Sequence, residues 1–238
     1  MNPWFPPQVP TLDAVRADPT MEPFVCMLRS AGHPTAEAGE PARADDIARF
    51  EALVPHPLPP LYRAWLERFG EGGPIYIAIG DGRGELSEVL AYYARKPDRV
   101  PDDAVIIAAP RITEATALLY AGRDEPAVGY SEGFAIAPTF AHHLYRQGWF
   151  QTLGPDGAQM TVRDVEADAL ADALQRAGFE RLWFSGGEAH CLDGAVVQMF
   201  LREEQTCTRV FVLSRLQRER DRWAEWVQRR YAEVRRFR

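Results

Sequence analysis

The stretch that decides the fold is IARFEALVPHPLPPLYRAWLERFGEGGP, residues 47–74. Ile47, Phe50, Leu53 and Val54 recur there at three- and four-residue spacing, the period at which one face of a helix is apolar. Asp45 and Asp46 sit just ahead, where the positive end of a helix dipole favours carboxylates. The spacing predicts a helix over 44–54. His56-Pro57-Leu58-Pro59-Pro60 breaks it and opens the next one, because a proline in a first helical turn gives up an amide that has no partner there anyway. Leu61, Trp65, Leu66 and Phe69 form the stripe of this second helix, with Leu58, Tyr62, Leu66 and Phe69 expected in the core. Gly70 suits its stop. Gly72 and Gly73 suit a sharp turn needing positive φ, leading into a strand over 74–79.

Outward from this segment the pattern stays α+β. Residues 1–21 are proline-rich and read as an arm with Trp4 and Phe5 docked, followed by a short helix over 22–31. Downstream come a turn, Gly80-Asp81-Gly82-Arg83-Gly84, and a helix over 86–95 closed by Pro97. Strands follow at 104–109, 116–121 and 127–130, the last two joined as a hairpin by residues 122–126. A helix over 139–149 ends this part. Gly154-Pro155-Asp156-Gly157 is the clearest linker. Beyond it the sequence predicts a helix over 162–177 ended by Gly178, strands at 181–184, 195–201 and 209–213, and a final helix over 216–234. The organisation expected is an arm and short helix at 1–42, a central domain at 43–153 and an extension at 158–238.

The central part resembles the SUKH superfamily, the Smi/Knr-type domain. The resemblance rests on Phe50-Glu51 within a helix, on Leu58-Pro59 followed by Tyr62, Trp65 and Leu66, and on Phe69 before Gly72-Gly73. It extends over residues 43–150. The closing helix departs from the family pattern, since Thr139-Phe140-Ala141-His142-His143-Leu144 lacks a second aromatic. The resemblance implies a Smi/Knr-like mixed sheet with flanking helices, here followed by an αβββα extension. It implies no catalytic machinery and no cofactor. Most bacterial members resemble immunity proteins, antidotes within polymorphic toxin systems that bind a secreted or contact-delivered toxin, often a nuclease. Other members resemble non-catalytic scaffolds or regulatory interaction modules. Both expectations stand at this point.

Composition agrees with a protein-binding role more than with nucleic-acid binding. The chain has 238 residues, 46% of them hydrophobic, enough for a core without disulfides. The formal net charge is −7 and the pI about 5.3, which disfavours a polyanionic partner and suits a basic one. The N-terminus lacks the charged and apolar regions of a signal peptide, and no apolar run reaches the roughly 18 residues of a membrane span. Cys26, Cys191 and Cys207 are odd in number and form no C-x-x-C pair, as expected of reduced thiols in a cytoplasmic protein.

Chemistry-bearing residues do not assemble into a motif. His142 and His143 are adjacent on a helix and diverge by about 100°. His190 and Cys191 are adjacent, and adjacent residues in an extended segment face opposite sides. Neither a metal-ligand spacing nor a catalytic pair results, so no catalytic or metal-binding residue is expected. Gly80–Gly84 lacks the third glycine of a dinucleotide fingerprint and the G-K-[ST] of a phosphate loop. The acidic loop residues Glu71, Asp81, Asp124, Glu125 and Glu132 are the expected contacts to a basic partner, since loops carry recognition and charges steer association. Residues 215–238 hold nine arginines against four carboxylates. That helix, with Trp223, Trp226 and Tyr231 on its apolar side, suits packing on the body of the chain or against a second subunit in a homodimer, with RNA binding the lesser reading.

Overall fold

Thr11 opens the first helix, α1 (Leu12–Ala17), its hydroxyl accepting the Ala14 amide. The arm expected here is therefore partly helical. The computed structural model describes residues 8–237 except 34–35, 79–81, 97, 99, 112–113, 153–156, 187–188, 195, 205–206, 215 and 232–233. The docking of Trp4 and Phe5, the closing role of Pro97, residues Ile79 and Asp81, and linker positions 154–156 lie outside the described residues. The described chain forms two compact units, Gln8–Gly148 and Trp149–Arg238.

In the first unit α1 is followed by α2 (Glu22–Ser30), α3 (Ala44–Leu53), α4 (Pro60–Phe69) and α5 (Leu86–Arg95). Strands β1 (Ala104–Ala108), β2 (Thr116–Leu119), β3 (Ala127–Tyr130) and β4 (Ala135–Ala137) follow, and then α6 (Phe140–Thr152), within which the two units divide. The four strands lie side by side in sequence order, each antiparallel to the next. The sheet is thus antiparallel and not mixed, because its neighbours are consecutive strands joined by at most seven residues, too few for a parallel crossover. The hairpin expected around residues 116–130 lies inside it.

Helix α4 carries the core of this unit. Trp65 and Phe69 are each 2% exposed, and Tyr62 and Leu66 are fully buried. Leu58, expected with them, is only half-buried. Phe24 of α2 meets Trp65 edge-on at 6.4 Å and Tyr145 of α6 at 5.3 Å. Tyr62 meets Phe140 at 5.0 Å, and Phe50 of α3 meets Tyr93 of α5 at 5.7 Å. Edge-to-face pairs of this kind add about 0.5–1.5 kcal/mol each beyond the area they bury. Helix α2 thus belongs to the core of this unit and does not lie outside it.

The second unit holds β5 (Gly157–Arg163), α7 (Ala167–Arg176), β6 (Glu180–Arg181), β7 (Ala189–Gly194), β8 (Val197–Glu204), β9 (Cys207–Leu213), α8 (Gln217–Arg230) and β10 (Val234–Phe237). Its strands form one antiparallel sheet in the order β10-β5-β9-β8-β7-β6. The αβββα extension expected from sequence is therefore a six-stranded sheet with two helices. Residues 157–163 are a strand, so the helix expected from residue 162 begins only at Ala167, because Ala158, Met160 and Val162 alternate into the core while Gln159 and Thr161 do not. One face packs on α7 and α8 through Met160, Val162, Leu170, Leu174, Met199, Leu201, Val210 and Val212. On the opposite face Phe150 meets Phe200 at 4.6 Å and Phe211 at 5.4 Å. The final helix stops at Arg230 and not at Val234, because Val234 pairs with Val162.

The turn after α4 has a physical reason different from the one the sequence suggests. Gly72 and Gly73 are not among the described positive-φ residues. A Cβ on Gly73 would lie 2.8 Å from the Trp65 indole, whereas one on Gly72 would find its nearest neighbour, the Glu40 Cβ, at 4.0 Å. Gly73 is a packing requirement of Trp65. Gly73→Ala is expected to lower unfolding free energy by about 1–3 kcal/mol, and Gly72→Ala by less than about 0.5 kcal/mol. Urea denaturation of both variants checks this, and equal losses would contradict it.

Candidate functional site

The prolines that start α4 also form a wall. Pro57, Leu58, Pro59, Pro60 and Leu61 border a groove of about 450 Å³, faced by Val15 and Pro19 at the end of α1 and by Phe140 and Ala141 at the start of α6. Tyr120, Asp124, Glu125 and Pro126 complete it from the β2–β3 turn. Its volume falls within the ordinary range for binding clefts, roughly 300–1,000 Å³.

Local backbone geometry fixes the acidic rim. Ala121 and Gly122 both have positive φ, at 38° and 74°, and the Arg123 amide donates to the Tyr120 carbonyl at 2.7 Å. Two successive left-handed residues closed by that bond make a tight turn at the start of the seven-residue connection between β2 and β3. The turn is tied to the α4 entry, since the Tyr120 hydroxyl donates to the Pro57 carbonyl and the Tyr120 ring stacks on His56 at 4.2 Å. Burial pushes the Tyr120 phenol up to about 12, so it stays protonated and keeps that bond at neutral pH.

Asp124 and Glu125 are exposed beside the groove. Glu125 lies 3.7 Å from Arg16, with about half of each side chain exposed, an arrangement that contributes little stability and leaves the carboxylate free to exchange partners. Asp124 has no ion pair among the described residues. The groove has apolar walls and an acidic rim tempered by one arginine. It offers shelter to an apolar side chain and charge to a neighbouring cation, and no nucleophile paired with a base lines it.

The five acidic residues predicted from sequence do not share one surface. Asp124 and Glu125 come together at the groove. Glu132 lies in the turn after β3, at the far end of that strand, where its negative charge helps push the Glu114 carboxyl up, after the larger effect of desolvation. Glu71 accepts the Ser87 amide at 3.0 Å and the Ser87 hydroxyl at 2.6 Å, which caps the N-terminus of α5. Asp81 lies outside the described residues. The groove residues from α1, from 57–61 and from α6 were not read from the sequence as a binding surface. The one signal for them was the proline cluster at 57–60, which also explains a helix entry.

The remaining chemistry-bearing groups are structural in their surroundings. His143 is fully buried, its Nε2 is 2.6 Å from the Ile77 carbonyl, and desolvation lowers its pKa to about 4. It is neutral at pH 7 and donates to that carbonyl, tying α6 to the segment after Gly73. His142 pairs with Thr139 at 2.8 Å, and desolvation lowers it also to about 4. His190 faces Asp168 of α7 at 3.5 Å, while Cys191 points to the other side of the sheet, in register with Phe200. Around Gly82–Gly84, Arg83 and Ala109 exchange both backbone hydrogen bonds, and a Cβ on Gly84 would lie 2.9 Å from Ile77. Among the described residues no group of three or more His, Cys, Asp and Glu is placed to hold a metal ion, and no helix is long and apolar enough to cross a membrane.

No family model, curated protein or solved structure matches this chain.

The two kinds of carboxylate separate in a stability measurement. Glu71→Ala removes a helix cap and is expected to cost about 0.5–2 kcal/mol. Asp124→Ala is expected to change stability by less than about 0.5 kcal/mol. Thermal or urea unfolding checks this, and an unaffected Glu71→Ala variant would show that the cap does not hold α5.

Proposed function

We propose that this chain is a non-catalytic protein-binding module of the immunity type, which neutralises a toxin by docking a basic segment of it in the groove between α4, α6 and the β2–β3 turn. The observation that carries the reading is the pairing of apolar, proline-stiffened walls with Asp124 and Glu125 on the rim. An anchor side chain in a preformed cleft supplies the desolvated centre of an interface, and rim charges steer encounter. Stiff walls reduce the ordering cost of association.

Two further features support this reading. The order of helices, strands and closing helix over residues 44–152 follows the order that the resemblance to the Smi/Knr-type domain implies, although the sheet is antiparallel and not mixed. The acidic balance of the chain, −7 overall, suits a basic partner such as a nuclease, whose own surface must attract phosphate. A bound antidote of this size over the toxin's basic face would block approach of its substrate. The reading places the protein in the cytoplasm beside its toxin and assigns it no cofactor.

The test is coexpression with the polypeptide encoded by the adjoining gene. A stable one-to-one complex and rescue of growth are expected on size exclusion and in a toxicity assay. Reversing Asp124 and Glu125 together to lysine is expected to slow association at least about tenfold at low salt. The difference should shrink as ionic strength rises and the screening length falls below roughly 8–10 Å. No complex, or a complex whose association and salt dependence ignore the double reversal, would overturn the proposal.

A further inference from the structure

The second unit carries a surface of opposite chemistry, which does not depend on the groove. Along α8, Arg222, Trp223, Glu225, Trp226, Arg229 and Arg230 border a hollow of about 610 Å³. The two indoles are half-buried: Trp223 rests edge-on against Phe179 at 4.6 Å and meets Trp226 at 5.7 Å. Above them the arginines remain exposed. The Arg222 guanidinium lies 5.5 Å from the Trp223 ring centre, and that of Arg230 lies 5.3 Å from the Trp226 ring centre. A guanidinium held over a ring keeps N–H groups available to further acceptors.

We infer that this Arg–Trp surface of α8 binds an acidic segment of a protein partner, its carboxylates on Arg222, Arg229 and Arg230 and an apolar side chain against Trp226. Charge complementarity supports this occupant. Among the described residues Arg222 and Arg229 pair within their own helix, with Glu219 at 3.2 Å and Glu225 at 2.9 Å, and both arginine side chains stay exposed. The Arg229–Glu225 pair, exposed on both sides, contributes little and gives way readily to a better-placed carboxylate. Arg230 has no carboxylate partner among the described residues. Half-exposed tryptophan beside arginine is also the composition in which binding energy concentrates.

A single-stranded nucleic acid fits less well. Such strands bind by stacking bases on open aromatic faces, and here guanidiniums of the same helix already stand over both indoles. A short acidic segment pairs its carboxylates with those guanidiniums and does not require both ring faces to be open.

The test uses the full chain and two labelled probes, a short peptide alternating glutamate with phenylalanine and an oligothymidylate of similar length. Fluorescence anisotropy should show the peptide binding more tightly than the oligothymidylate, with quenching of tryptophan emission. Arg222→Glu combined with Arg230→Glu should weaken the peptide at least about tenfold. Arg230→Lys, which keeps the charge and loses the planar fork, should fall between. Both variants alter exposed side chains, and a circular dichroism melt unchanged from the parent verifies that they fold. Failure of the peptide to bind, equal binding by the charge-reversed variant, or tighter binding of the oligothymidylate would each overturn the inference. Self-association of the chain through α8, seen by sedimentation and lost with the same reversal, would overturn it in favour of a second copy as the occupant.

Discussion

The indole of Trp65 is the contact on which the first unit depends. It lies against Phe69 on its own helix at 5.0 Å and against Phe24 of α2 at 6.4 Å, and it needs Gly73 to lack a side chain. These contacts hold α4 against α2 and against the turn that follows it. With its axis fixed, the prolines at its start have only one place to go, and that place is the wall of the groove. The Tyr120 hydroxyl then joins the wall to the hairpin, so Asp124 and Glu125 are positioned by a core aromatic cluster several residues away. A change at Trp65 or Gly73 would therefore reach the rim without touching it.

The same dependence explains what was legible in the sequence. The stripe of α4 follows the helical period, and Trp65 and Phe69 are buried as that period requires. The β2–β3 hairpin was legible because Gly122 and Pro126 bracket its turn. Strand β7 was missed because His190 and Asp193 break its apolar pattern, although His190 is buried against α7. Strand β10 was missed because Val234-Arg235-Arg236-Phe237 looks like the tail of a charged helix until Val162 appears as its partner. Helix α1 was missed because six residues between prolines carry little periodicity.

The groove was less legible for a geometric reason. Its walls come from four segments spread between Val15 and Ala141, and no local pattern in a sequence encodes such a meeting. Loop position and negative charge grouped Glu71 and Glu132 with Asp124 and Glu125. Burial and hydrogen bonding separate them, because Glu71 spends both oxygens on Ser87 while Asp124 spends none on a charged group among the described residues. Charge also divides along the chain. Residues 8–148 hold twenty carboxylates against thirteen basic side chains, and residues 149–238 hold fourteen of each. The whole of the net −7 therefore belongs to the unit that carries the groove, while the basic stripe belongs to α8.

Amide hydrogen exchange on the complex with the captured toxin tests the groove reading most directly. Docking in the groove predicts slowed exchange at Leu58 and Leu61, across Tyr120–Glu125 and at Phe140–Ala141, with α8 unchanged. Protection confined to Gln217–Arg230, with exchange at Leu58, Leu61 and Tyr120–Glu125 the same in free and bound protein, would contradict it.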